Sequence, residues 1–266
     1  MGKNRSYLIH LSSDADVSYK FGNTMRFSSN IKENIIIKDC ERAFVSVRNV
    51  RIPNVMTQIN NFNDTIVFRN TDTNITSNLI LDHGNYTGIQ LATYFENIVN
   101  GFFGPNFQVV FVPQTGKFNF QNQTANNLQI EWSANYDSHI LFGFPLNILP
   151  LPISINYVES PSIAILNPIP EVYLNSSLNL LHVYDNRKEG RSNLLDIFPI
   201  SNIPIGSDLF YSNQNSEFRA EFVGKHISDI ELWLTDNKNR VISFTTGFVY
   251  AYEVTLLIQI ECTCEK

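Results

Sequence analysis

Charge is scarce in this chain. Asp, Glu, Lys and Arg make up 17% of its 266 residues, and the balance is acidic, 25 Asp+Glu against 19 Lys+Arg, for a net charge of −6. A nucleic-acid binder needs a basic face, and this composition does not supply one. The most basic local cluster, Asn186-Arg187-Lys188-Glu189-Gly190-Arg191, lies between two strand-like segments and reads as a solvated loop. Cysteine is also rare, and three residues do not make a disulfide framework. Cys40 reads as a small buried hydrophobe, and Cys262 with Cys264 as a tail, since two ligands do not make a zinc site. No run reaches the roughly 20 apolar residues of a membrane span, and no signal peptide is visible. The chain therefore reads as made and used in a reducing intracellular setting. The sequons at Asn63, Asn74 and Asn85 are products of abundant Asn.

Motifs that carry chemistry are missing too. There is no Gly-x-Ser-x-Gly elbow, phosphate loop or dinucleotide fingerprint. His10, His83, His139, His182 and His226 stand far apart, none at metal-ligand spacing to another. His182 falls in a strand-like run and His83 and His139 near turns. Asp14 and Asp16, and Asp72 with Asp64, lack the glycine and glutamate of a dense calcium loop and read as exposed turn carboxylates. These absences predict no enzyme, no cofactor and no metal. One short pattern remains: Met1-Gly2-Lys3-Asn4-Arg5-Ser6 matches the myristoylation signal and makes Gly2 a lipidation candidate.

What is present is aromatic, amide-rich and β-forming. The chain has 20 Phe, 11 Tyr and 33 Asn; Asn favours turns and uncharged polar surface, and an AT-rich genome accounts for its excess. Strand-like runs cover 7–11, 35–38, 43–52 and 65–69. In the third, Val45 and Val47 share one face while Val50 and Ile52 share the other. A one-residue slip inverts every side chain, so the pattern predicts a bulge near Arg48–Asn49 or a strand buried on both faces. Near the C-terminus Phe218, Ala220 and Phe222 alternate with charges, and Ile230, Leu232 and Leu234 with polar positions. A turn at 236–239, a strand over 241–244 and a long strand over 254–260 follow.

Residues 82–144 read differently, as a small α+β unit. Thr87 and Gln90 have capping-box spacing, with Tyr86 and Leu91 placed as a hydrophobic staple. Leu91, Phe95, Ile98 and Phe102 predict a helix stripe, and Gly101 its end. Strands over 107–112 and 117–121 flank a turn at 113–116. A half-buried strand at 128–132 and a short helix over 137–142 stopped at Gly143 complete the unit. Residues 145–170 hold six of the eleven prolines and predict an extended connection, packed rather than floating because of its many Ile and Leu. The expected fold class is mainly β. About eight strands outside the unit suggest a single jelly-roll β-sandwich. That gives 1–81 with 171–266 as the jelly roll, 82–144 as an α+β insertion, and 145–170 as the connection.

Several of these residues together resemble the penton, or minor capsid, proteins of virophages and polinton-like viruses. Leu11-Ser12-Ser13 and the strand ending Arg51-Ile52-Pro53-Asn54 are similar to that family's opening strands. Gly84, Tyr86 and Thr87, with Leu91 on the helix, match its Gly-x-Tyr-Thr element. Gly143 and Phe144 match its Leu-Gly-Phe element, with Phe142 in place of Leu. The run from Ile230 to Asp236 and the strand at 241–244 are also similar. The resemblance implies a structural virion protein at the vertices of an icosahedral capsid. It would assemble inside the host cell as a homopentamer beside double-jelly-roll major capsid proteins. The insertion or the Pro-rich segment would project towards a host receptor or cement protein. No nucleic-acid partner, cofactor or active site is implied. The reading from another class is a jelly-roll carbohydrate- or receptor-binding module of spike type.

Overall fold

The structure is a computed structural model describing residues 4–14, 18–20, 24–124, 127–132, 135–145, 151–153, 158–167, 169–181, 193–214, 219–243 and 251–263. Gly2, Asp16, His182, the 186–191 cluster, Phe218, Phe244 and Cys264 lie outside the described residues. The chain forms two compact units, Met1–Met56 with Ile169–Lys266, and Thr57–Pro168.

The first unit opens with β1 (Arg5–Ser12), β2 (Ser18–Lys20), β3 (Arg26–Ile36) and β4 (Glu41–Pro53). The second unit follows, with β5 (Thr65–Asn70), β6 (Ile75–Ile80), α1 (Gly88–Phe103), β7 (Phe107–Val112), β8 (Lys117–Asn122), β9 (Leu128–Glu131), α2 (Ser138–Leu141), β10 (Leu151–Ile153) and β11 (Val158–Glu159). The chain then returns to the first unit through β12 (Glu171–Ser176), β13 (Leu180–Leu181), β14 (Leu194–Pro199), β15 (Asp208–Ser212), β16 (Ala220–Phe222), β17 (His226–Thr235) and β18 (Glu253–Cys262).

In the first unit one sheet runs β1-β18-β4, with β15 and β16 both on the far side of β4 and β13 beyond β16. The other runs β14-β12-β17-β3-β2. Taking β15 and β16 as one interrupted strand and setting aside the short β2 and β13, the long strands in chain order fall as 1-8-3-6 and 2-7-4-5. That order, antiparallel throughout, is a jelly roll. The second unit occupies the connection between the third and fourth long strands. The core draws on inward faces of both sheets, including Phe27, Val172, Leu232, Leu234, Tyr252, Leu256 and Ile258. Tyr252 is fully buried; its hydroxyl lies 3.1 Å from the Leu232 carbonyl and 3.3 Å from that of Met25.

The bulge expected in β4 is there. Thr255 opposes Asn49 and Leu256 opposes Val47, so Arg48 has no partner on β18. Val45, Val47, Val50 and Ile52 are consequently all buried. β3 differs from the expected 35–38: it begins at Arg26, and its register with β17 shifts between Ile227 and Asp229. Its buried face includes Ser29, which breaks the apolar signal. Cys40 is also unlike its expectation. It is exposed in a turn at φ 67° and disulfide-bonded, whereas Cys262 is free.

The division between units falls at 56/57 and 168/169, rather than at 81/82 and 170/171. β5 and β6 account for the first difference, because β5 pairs with β6 and β9. Alternation marks a strand without naming its partner. β10 and β11 account for the second: they pair with β9 and β8, and Ile153, Ala164 and Leu166 join the second unit's core. The described residues of 145–167 are thus part of that unit rather than a connection. Sheets β10-β9-β5-β6 and β11-β8-β7 share with α1 a core of phenylalanines, among them Phe68, Phe95, Phe107, Phe118, Phe120 and Phe142.

Candidate functional surfaces

The 84–91 motif builds the entry to α1. Thr87 accepts from the Gln90 amide and Gln90 reaches back to the Thr87 amide, closing the capping box. The apolar partner of Tyr86 is not the expected staple: its ring stacks on Tyr94, centroids 5.1 Å apart. The Tyr94 hydroxyl accepts from the Asp82 amide at 2.7 Å, and burial pushes its pKa up to about 12. Gly84 lies under the Tyr86 ring, where a Cβ would come within 3.1 Å. Gly88 meets Phe111 so closely that a Cβ would sit 2.5 Å from the ring. The buried stripe is Gly88, Leu91, Ala92, Phe95 and Val99; Ile98 is half-buried and Phe102 is exposed. The helix also runs past Gly101 to Phe103 and is capped by Gly104 at φ 94°, immediately before Pro105.

Gly143 ends α2 at φ 77°, and a Cβ there would overlap the Ser162 carbonyl oxygen. Its own carbonyl accepts from the Ser162 amide at 3.0 Å, and the Phe144 amide donates to His139. Leu91 and Phe144 enter one core. These motif positions therefore hold the second unit together, and none presents a reactive group.

The other sequence candidates are dispersed. His10 lies 3.2 Å from the Thr255 hydroxyl, His83 pairs with Asp64 at 2.9 Å, His139 is buried in α2 and His226 is exposed at the start of β17. Asp72 accepts from the backbone and side chain of Asn127, which holds its pKa below the usual carboxylate range. Among the described residues no cluster of three His, Cys, Asp or Glu could hold a metal.

Among the described residues the first unit carries at least two concavities. One, about 590 Å³, has Val45, Val47, Leu195 and Ala220 in its walls, with Asp196 and Tyr211 as its interacting polar pair. Burial raises the Asp196 carboxyl, while the Ile197 amide and Tyr211 hydroxyl partly offset the shift. The other, about 310 Å³, is a groove lined by His10, Arg51, Phe210, Glu253 and Thr255. Its imidazole–hydroxyl pair has no carboxylate orienting His10 among the described residues, the third element a nucleophile–base pair requires.

The jelly roll also carries arginines held between a carboxylate and a ring. Arg51 pairs with Asp208 at 2.8 Å and lies 5.7 Å from the Phe210 ring; Phe210 is 73% exposed. Arg26 pairs with Glu231 and lies 5.7 Å from Trp233, and Arg219 pairs with Glu261 and lies 4.0 Å from Phe44. In the first two, carboxylate and ring stand two residues apart on one strand and so share a face. That spacing is visible in sequence; the arginine opposite becomes visible only once strands are paired.

The class these features define is a single jelly-roll β-sandwich carrying an inserted α+β unit. Among solved structures the fold is that of the mavirus penton protein. The TM-score is 0.50 at 11% sequence identity, covering 96% of this chain and 99% of that one. A chain of the Sputnik virophage, solved by cryo-EM, is also similar, with TM-score 0.40, 13% identity and coverage of 97% and 98%. No family model matches the sequence, and no curated protein matches it.

Proposed function

We propose that this chain is a structural virion protein, the penton or minor capsid protein that forms homopentamers at the vertices of an icosahedral shell. The observation that carries this reading is full-length agreement of fold with the mavirus penton protein, inserted unit included. Its neighbours would be double-jelly-roll major capsid proteins. A closed ring is built from a heterologous interface, so each copy must present two different flanks. Arginines fixed by carboxylate and ring suit such flanks, because they are already ordered before contact.

The second unit suits an outward contact. Within 57–168 only Arg69 and Lys117 are basic, and seven residues are acidic, among some 18 Asn. A unit rich in amides and nearly free of basic residues is compatible with a glycan or host receptor, the spike-type role, carried here as a second task of the same protein. Native mass spectrometry tests the ring. Five copies of 30.4 kDa give an assembly of about 152 kDa (5 × 30.4), or multiples of it, with or without major capsid protein. Assemblies with no fivefold multiple under either condition would overturn the proposal.

A further inference from the structure

β6 is the outer strand of the sheet β10-β9-β5-β6. Its ladder with β5 runs without a register shift, Thr65 opposite Ile80 and Val67 opposite Asn78. In the same register the Leu81 amide donates to the Asp64 carbonyl at 2.7 Å, which fixes the phase of the ladder. Leu79, Ser77 and Ile75 turn their N–H and C=O groups to β5, and Ile80, Asn78 and Thr76 turn theirs away. Among the described residues no hydrogen bond reaches the backbone of those three. All three are exposed, Ile80 at 68%.

Natural edge strands are guarded by charge, proline, a bulge or a cover. Ile75-Thr76-Ser77-Asn78-Leu79-Ile80 has no charge and no proline, and the ladder has no bulge. We infer that a second copy of this chain covers it, β6 pairing antiparallel with the partner's β6 about a twofold axis at Asn78. The outward groups dictate that register. Position 76 faces 80 of the partner strand, 78 faces 78, and 80 faces 76, all as hydrogen-bonded pairs. Ile80 then packs on a threonine, amide meets amide at the axis, and no like charges oppose. A slip of one residue would set outward groups against inward ones. A slip of two moves position 76 opposite Asp82, beyond the strand, and loses one pair. The strand that satisfies this edge is therefore the edge itself. A twofold contact cannot close a ring of five, so it stands independently of the vertex reading: it joins two single copies, or copies of two different rings if rings form.

Sedimentation equilibrium of the full chain up to high concentration tests it, since a contact this small is weak. Asn78→Pro removes an outward N–H that no intrachain bond uses and asks Ser77 only for the extended backbone it already has. The thermal midpoint is therefore kept, whereas Ser77→Pro, which removes a bond to β5, lowers it. Wild type should associate by doubling, one copy to two or one ring to two, and Asn78→Pro should weaken that step at least about tenfold. Asn78→Lys and Asn78→Glu should each abolish it alone and restore it when mixed. Three results would overturn the inference: no doubling in wild type, doubling unchanged by proline, or a Lys/Glu mixture no tighter than either variant. Equal loss of midpoint for the prolines at 77 and 78 would overturn the phase and the inference with it. Fivefold assembly without doubling would remove this contact and leave the vertex reading intact.

Discussion

Gly143 shows how a single residue can fix a local path. It combines φ 77° with a carbonyl oxygen where a side chain would begin. Both effects act against any other residue. Gly143→Ala should cost about 2–4 kcal/mol, the sum of left-handed strain and overpacking. Chemical denaturation reads this directly, and a loss under about 1 kcal/mol would show that the 162 carbonyl moves aside freely. Asp196 gives a pH signature. Its folded pKa is raised by burial, so the fold binds its proton more tightly than the unfolded chain does. Stability from this group is greatest below the unfolded value of about 3.9 and is lost as pH rises through the raised folded value. Asp196→Asn should therefore gain on wild type as pH rises from about 4 to 7, measured by thermal midpoint. A difference that stays flat with pH would contradict the assignment. At this scale the capping box was legible because all its atoms lie within four residues. The Tyr86–Tyr94 stack was not, since it depends on how the loop before the helix folds back.

At the scale of elements, β4 is the most informative strand. Its bulge was legible from Val45 to Ile52 as one of two ways to resolve the phase change, and the pairing with β18 selects it over a strand buried on both faces. Deleting Arg48 should then be tolerated, since Val47, Asn49 and Val50 keep their faces and β4 becomes a regular strand. Deleting Ser46 should abolish folding, because it puts Arg48 on the core side in place of Val47. Soluble yield and circular dichroism of the two deletions decide this; equal tolerance would mean the bulge does not set the register. β12 was illegible for the opposite reason. Asn175 and Ser176 are fully buried, so polar residues stand where apolar ones would signal a strand; the Asn175 side chain is held by Tyr173 and Thr235. The helix stripe was misjudged by one turn because Phe102 is apolar yet exposed, while Gly88 and Ala92 are small yet buried. Small residues at a close approach leave little trace in a hydrophobicity pattern.

For the whole molecule, the β class and the presence of an inserted α+β unit were legible, and the unit's limits were not. β5 carries a strand's alternation but belongs to the insertion through its pairing with β9, which no local pattern records. Among the described residues the two cores share none, and charge is distributed unevenly between the units. Of the net −6, the second unit carries −5 (two basic minus seven acidic) and the first −1 (17 minus 18). On the proposed function, the jelly roll with balanced charge would make the shell contacts, and the insertion, nearly free of basic residues, would carry the second task. The most direct test is a cryo-EM map of the particle that encodes this chain. Five copies of the jelly roll should fill the density around each occupied fivefold axis. Fivefold density built from a different chain, or copies of this one found only elsewhere in the particle, would contradict it.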